Sequence, residues 1–79
     1  MSNRNRLVEY YRTRLQNKKA QIRLEAIQEL LLLEAIEVLD DLQEIFKSDE
    51  DSEVKKAAQE AGRKLYRIKL KQDPDSDKA

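Results

Sequence analysis

The chain of 79 residues contains neither cysteine nor histidine. That double absence excludes disulfides, thiolate chemistry, Cys/His zinc sites and imidazole acid–base catalysis in one step. Tryptophan is missing too, aromatics are few, and Gly and Pro occur once each. With so little to punctuate the backbone, and with Ala, Glu, Lys, Leu and Arg filling the chain, helix is favoured throughout. No apolar run approaches the ~18 residues of a membrane span, and the basic start MSNRNRLVEYYR is not followed by an apolar leader segment. The expectation is a soluble, unprocessed all-α chain. Its lack of cysteine fits the cytoplasm. A chain this short makes one domain at most, with a stability of roughly 4–12 kcal/mol at ~0.05–0.15 kcal/mol per residue.

A net charge of zero conceals strong segregation. Residues 1–23 set seven Arg/Lys against Glu9, residues 24–53 set eleven Asp/Glu against Lys47, and residues 54–71 set seven Arg/Lys against Glu60. Residues 72–79 are weakly acidic. The middle of the chain therefore attracts both ends.

Apolar spacing predicts four amphipathic helices. Leu7, Val8, Tyr11 and Leu15 share one face of the first. Ile22, Ala26, Ile27, Leu30 and Leu33 mark a second that starts near Ala20, and Val38, Leu39, Leu42, Ile45 and Phe46 mark a third from about Ala35 to Lys47. The run SDEDSE offers Asp51 or Ser52 as the cap of a fourth, which carries Val54, Ala57, Ala58, Ala61, Leu65 and Ile68. Asp73-Pro74 should end it, leaving residues 72–79 as a disordered acidic tail.

The run Leu30-Leu31-Leu32-Leu33 lies where two of these faces disagree. At 100° per residue the apolar side turns by about 140° near residue 34. A straight helix would then bury opposite sides at its two ends, so a corner at about Leu32–Ala35 is predicted. One continuous helix over 20–47 stays the alternative, because no Gly or Pro marks a turn there.

The helices also match in pairs. A shift of 31 carries Leu7, Val8, Tyr11 and Leu15 onto Val38, Leu39, Leu42 and Phe46, and a shift of 32 carries Ile22, Arg23, Ala26 and Leu33 onto Val54, Lys55, Ala58 and Leu65. Such periods mark solenoid units, here two hairpins at about 4–33 and 35–71. The segment DEDSEVKKAAQEAGRKL, with acids at Asp49 and Asp51, Val54-Lys55, and small residues Ala58 and Ala61, resembles the second half of a HEAT repeat, in the short bacterial form of phycobilisome-lyase-like proteins. KKAQIRLEAIQELL is similar through Ile22-Arg23 and Ala26, but has Glu29 where a second small residue is usual; Lys55 stands in place of the usual Arg. The resemblance implies four antiparallel helices in two hairpins, and a scaffold that binds proteins rather than an enzyme. By family alone it also implies a helper role in phycobilin or phycobilisome handling.

Several residues invite closer reading. Arg23 falls inside the apolar arc of the second helix, where a charge needs a partner; the resemblance pairs it with Asp49 or Asp51, a bidentate role that suits Arg better than Lys. The acids Asp49, Asp51, Glu53 and Glu60 imitate a calcium loop, but Val54 holds the place that needs Gly, so helix capping is the better reading. No metal or cofactor is expected. Lys56, Gln59, Arg63 and Arg67 share one side of the fourth helix, which the resemblance makes the partner-binding face. Leu24, Ile27 and Leu31 form a second apolar stripe, core for a central helix or else a patch for a partner or a second copy; Leu32 has no assigned burial. Serines lack an activating histidine and no phosphate loop exists, so catalysis is not expected. The leading expectation is a small cytoplasmic HEAT-like adaptor that binds another protein and forms a homodimer. The rival is a nucleic-acid accessory protein using the basic ends, disfavoured because the acidic third helix lies nearby and the chain carries no net positive charge.

Overall fold

The structure, a computed structural model, describes residues 3–72. Four helices follow one another: α1 (Asn3–Arg14), α2 (Ala20–Leu32), α3 (Leu39–Ser48) and α4 (Ser52–Gln72), with one 3₁₀ turn at Ile36–Val38 before α3. Among the described residues there is no strand. The chain is all-α, as composition and periodicity predict. Helix α1 packs on α2, α2 on α4, and α4 on α3.

One apolar cluster joins all four helices, drawn from Val8 and Leu15, from Ala26, Ile27 and Leu30, from Ala35, Val38, Leu42 and Ile45, and from Val54, Ala58, Ala61 and Leu65. Ala26, Ala58 and Ala61 are buried in this cluster, and their short side chains let α4 lie close to its neighbours. Among the described residues no side chain that is mainly polar is buried. Apolar burial is thus the main drive to fold, and every charge stays near water or near a partner.

The chain does turn inside the leucine run. Glu34 adopts φ 53°, the only non-glycine residue at positive φ among those described. Its N–H donates to the Leu31 carbonyl at 2.9 Å, and the Ala35 N–H donates to the Leu30 carbonyl at 3.0 Å. This pair of bonds is the Schellman motif, which satisfies carbonyls that a helix end otherwise leaves open. Buried Ala35 packs beyond it, and the 3₁₀ turn re-aims the backbone before α3 begins. The two apolar faces that disagreed by about 140° on one helix are reconciled because they lie on two.

Other boundaries have equally local causes. The Asp51 carboxylate accepts the Glu53 and Val54 N–H groups at 2.9 and 3.0 Å, so Asp51 rather than Ser52 caps α4. The first helix ends by tightening, with the Gln16 and Asn17 N–H groups donating three residues back. Four sequence expectations need correction. The third α-helix starts at Leu39 rather than about Ala35, because the 3₁₀ turn takes the intervening residues. Gln72 belongs to α4 and not to a tail; the rest of the expected tail, 73–79, lies outside the described residues. Leu7 and Phe46 sit at the margin of their apolar faces and are exposed, since no helix packs over that side. Ile27 is buried, which removes it from any docking patch.

Two substitutions test this account. Leu30 is fully buried and Leu32 is 76% exposed, so Leu30→Ala should cost about 2–5 kcal/mol in urea unfolding while Leu32→Ala stays within about 0.5 kcal/mol. Glu34→Gly should raise stability by roughly 0.5–1 kcal/mol: relief of ~1–2 kcal/mol of left-handed backbone cost exceeds the ~0.5–1 kcal/mol of added chain entropy. A loss in the second variant would mean that the corner does not need residue 34 in that conformation.

Candidate interaction surface

Three arginines decide which charges remain available to a partner. Arg23 on α2 donates through Nε and Nη2 to the two carboxylate oxygens of Asp49 at 2.8 and 2.9 Å. Its Nη1 donates to the Asn17 and Lys18 carbonyls at 2.8 and 3.0 Å. One guanidinium thus ties the α1–α2 turn to the α3–α4 turn. The side chains of Arg23 and Asp49 are only 14% and 8% exposed, so this pair is little screened by solvent. Of the two acids considered for Arg23, Asp49 takes the guanidinium and Asp51 takes the helix N–H groups.

The two turns are built alike. Asn17 Oδ1 accepts the Lys19 N–H at 2.9 Å, and Asp49 Oδ1 accepts the Asp51 N–H at 2.9 Å. The same shift of 32 that pairs Arg23 with Lys55 pairs these residues. Burial pushes the Asp49 carboxyl up, but the bonds from Arg23 and the Asp51 N–H, with the charges of Arg23 and Lys55, outweigh it and hold the group below its ordinary value.

Arg4 and Arg12, one side of α1, reach the other acidic positions. Arg4 donates to both carboxylate oxygens of Glu37 at 2.8 and 3.1 Å, and to the Glu34 carbonyl at 3.2 Å, closing the corner from outside. Its hydrogen bond holds Glu37 below the ordinary glutamate value, and Arg4 itself is raised, first by that same bond. Arg12 Nε donates to Asp41 at 2.7 Å, and the Asp41 charge raises Arg12. These two pairs are half open to water and worth ~0–1 kcal/mol each. Neither arginine was singled out from the sequence; the signal available was the opposed charge of the first and middle segments.

Helix α4 is different. Among the described residues none of Lys56, Arg63, Lys64, Arg67, Lys69 and Lys71 forms an ion pair, because every pair found uses Arg4, Arg12 or Arg23. Lys56, Arg63 and Arg67 are exposed and Gln59 is half-buried, all opposite the side that holds Val54, Ala61 and Leu65. Leu24 and Leu31 are half-buried against the core, so the apolar stripe on α2 is largely covered, while Leu32, which lies off that stripe, stands out into solvent. Beside α4 runs a groove of about 440 Å³ against α3, lined by Leu39, Phe46, Tyr66, Asp40, Gln59 and Arg63 among others. Phe46 and Tyr66 were not picked out as a pair, since they lie on different helices.

Among the described residues no three acidic side chains gather to hold a metal ion, and no helix is long and apolar enough to cross a membrane. Compared with known protein families, curated proteins and solved structures, the chain matches none.

Removing the central pair has a clear expected outcome. Arg23→Ala leaves the Asp49 carboxylate and two turn carbonyls without their donor, and should cost about 2–4 kcal/mol in urea unfolding. Asp49 and Glu37 both titrate lower in the folded chain. Their contribution is therefore complete above their unfolded values near ~4 and is lost as pH falls through the lower folded values. Thermal melting between pH 7 and 2 should show a decline setting in below about pH 4, and Asp49→Asn should flatten it. An unchanged acid limb in that variant would remove Asp49 as its cause.

Proposed function

We propose that this protein is a small non-catalytic adaptor of the cytoplasm, built from two antiparallel HEAT-like helical hairpins, that binds another protein through α4 and self-associates. The observation that supports this most is the division of labour among its cations. Among the described residues Arg4 and Arg12 of α1 and Arg23 of α2 are spent on internal acids, whereas no cation of α4 forms an ion pair and Lys56, Arg63 and Arg67 are exposed. Arg63 and Arg67, with Lys56 and Gln59 along the same side, form a rigid basic row. A helix presents such a row with little ordering cost to an acidic protein surface, where it steers encounter and sets register. The Arg23–Asp49 bridge fits the reading as the brace between hairpins, and exposed Leu32 adds an apolar contact on α2.

One observation favours a second reading. The free cations of α4 have Tyr66 among them, which is also what a nucleic-acid surface needs. The two readings part in salt. Fluorescence anisotropy with labelled single-stranded and duplex oligonucleotides should show no binding at about 50 mM salt; binding that collapses by about 200 mM would establish the nucleic-acid reading instead. For the adaptor itself, Arg63→Glu with Arg67→Glu should abolish capture of whatever protein the wild type retains from host extract. Equal capture by both chains would remove the α4 row from the site.

A further inference from the structure

We infer that the groove between α3 and α4 is where two copies of this chain pair, about a two-fold axis running along the groove. This rests on the self-association in the reading above and gives it a site. Phe46 and Tyr66, 40% and 53% exposed, flank the groove on opposite helices, and half-buried Leu39 extends the same surface. Aromatic side chains from two helices on one open edge are an apolar surface that a monomer gains nothing by exposing.

Charge selects a second copy as the occupant. The α3 rim of the groove carries Asp40 and the α4 rim carries Arg63 and Lys69. A two-fold axis along the groove lays the α3 rim of one copy on the α4 rim of the other, at the same height. Asp40 of each copy is then set toward Arg63 of its partner, and the apolar side chains along the groove, Leu39, Phe46 and Tyr66, are covered by the other copy. The contact is isologous, so each opposite-charge pair occurs twice and the assembly closes as a dimer. A chain of zero net charge adds no long-range repulsion against the approach. Among the described residues Arg63 and Lys69 make no ion pair, and neither does Asp40, so pairing breaks no ion pair among them.

Sedimentation equilibrium on the full chain tests the arrangement. Wild type should associate to twice its 9.3 kDa mass. Asp40→Lys and Arg63→Glu should each weaken self-association on the order of tenfold or more, because each sets like charges opposite one another twice. An equimolar mixture of the two variants should recover a dimer as tight as wild type, since Lys faces Glu at one contact and Asp faces Arg at the other. Glu60→Lys and Lys64→Glu change the net charge equally but lie off the groove, and should leave the dimer intact. All four positions are solvent-facing, and a helical circular-dichroism signal with an unshifted melt verifies that each variant folds. A wild type that stays monomeric at every concentration overturns self-association and this site together. A wild-type dimer indifferent to Asp40→Lys and Arg63→Glu, or a mixture that fails to recover, overturns the groove pairing alone.

Discussion

Arg23 hydrogen-bonds to both the α1–α2 turn and the α3–α4 turn, and the way the two halves of the chain are joined depends on what it requires. A guanidinium held at the edge of an apolar cluster must have its donors met. Asp49 supplies two acceptors and the turn after α1 supplies two more as backbone carbonyls. Each turn is in turn shaped by its own Asx residue, Asn17 or Asp49, whose oxygen accepts the N–H two residues on. The bridge therefore only forms when both turns have folded. It couples the two halves of a chain whose apolar cluster is too thin to do so generously, the molecule measuring 39 × 30 × 15 Å along its principal axes. A lysine at position 23 would carry the charge but not the fork, and would leave part of this set unmet.

The acidic middle of the chain has two roles that the zero net charge hides. Glu37, Asp41 and Asp49 are committed to Arg4, Arg12 and Arg23, which come from the first basic segment. Among the described residues the second basic segment forms no ion pair, although the Lys55 charge reaches Asp49. Internal pairing is thus lopsided: α4 keeps all its described cations unbridged, whereas α1 bridges two of its four to acids. A surface of that kind is polar in the directional sense: it attracts an opposite rim, including that of another copy, without any long-range bias of the whole molecule.

Much of the fold was legible because the governing forces are local or periodic. Helix spacing, the Asp51 cap region and the need of Arg23 for a partner follow from 3.6-residue periodicity, unpaired N–H groups and the cost of an unmatched buried charge, whereas the acidic turn as that partner was implied by the HEAT resemblance. The corner was legible only indirectly, through faces that could not coexist on one helix. Its chemistry was hidden because glutamate at position 34 takes a conformation usually left to glycine, and no residue type announces that. The strain is tolerated because Ala35 beyond it is buried, Leu30 before it is fully buried, and Arg4 binds the carbonyl of Glu34. The margins of the helices were read less well. Leu7 and Phe46 satisfy the spacing of a core face, yet whether a marginal residue is covered depends on how many helices stand beside it, which periodicity does not encode.

That same geometry determines which surfaces stay exposed. With α4 packed between α2 and α3, its buried side is full, its outer side is a row of cations, and the side toward α3 opens into a shallow groove. A shallow groove with aromatic rims and one charge of each sign suits a flat, preorganised partner better than a small molecule, which needs a concave site that covers most of its surface. Arg23 braces two of the turns and Arg4 adds a weaker tie at the corner, so the backbone that carries these surfaces is tied by hydrogen bonds already present in the free chain. The electrostatic braces and the surfaces proposed for interaction are therefore linked: the arginines paired inside the molecule hold the turns between the helices that carry the exposed cations and aromatics.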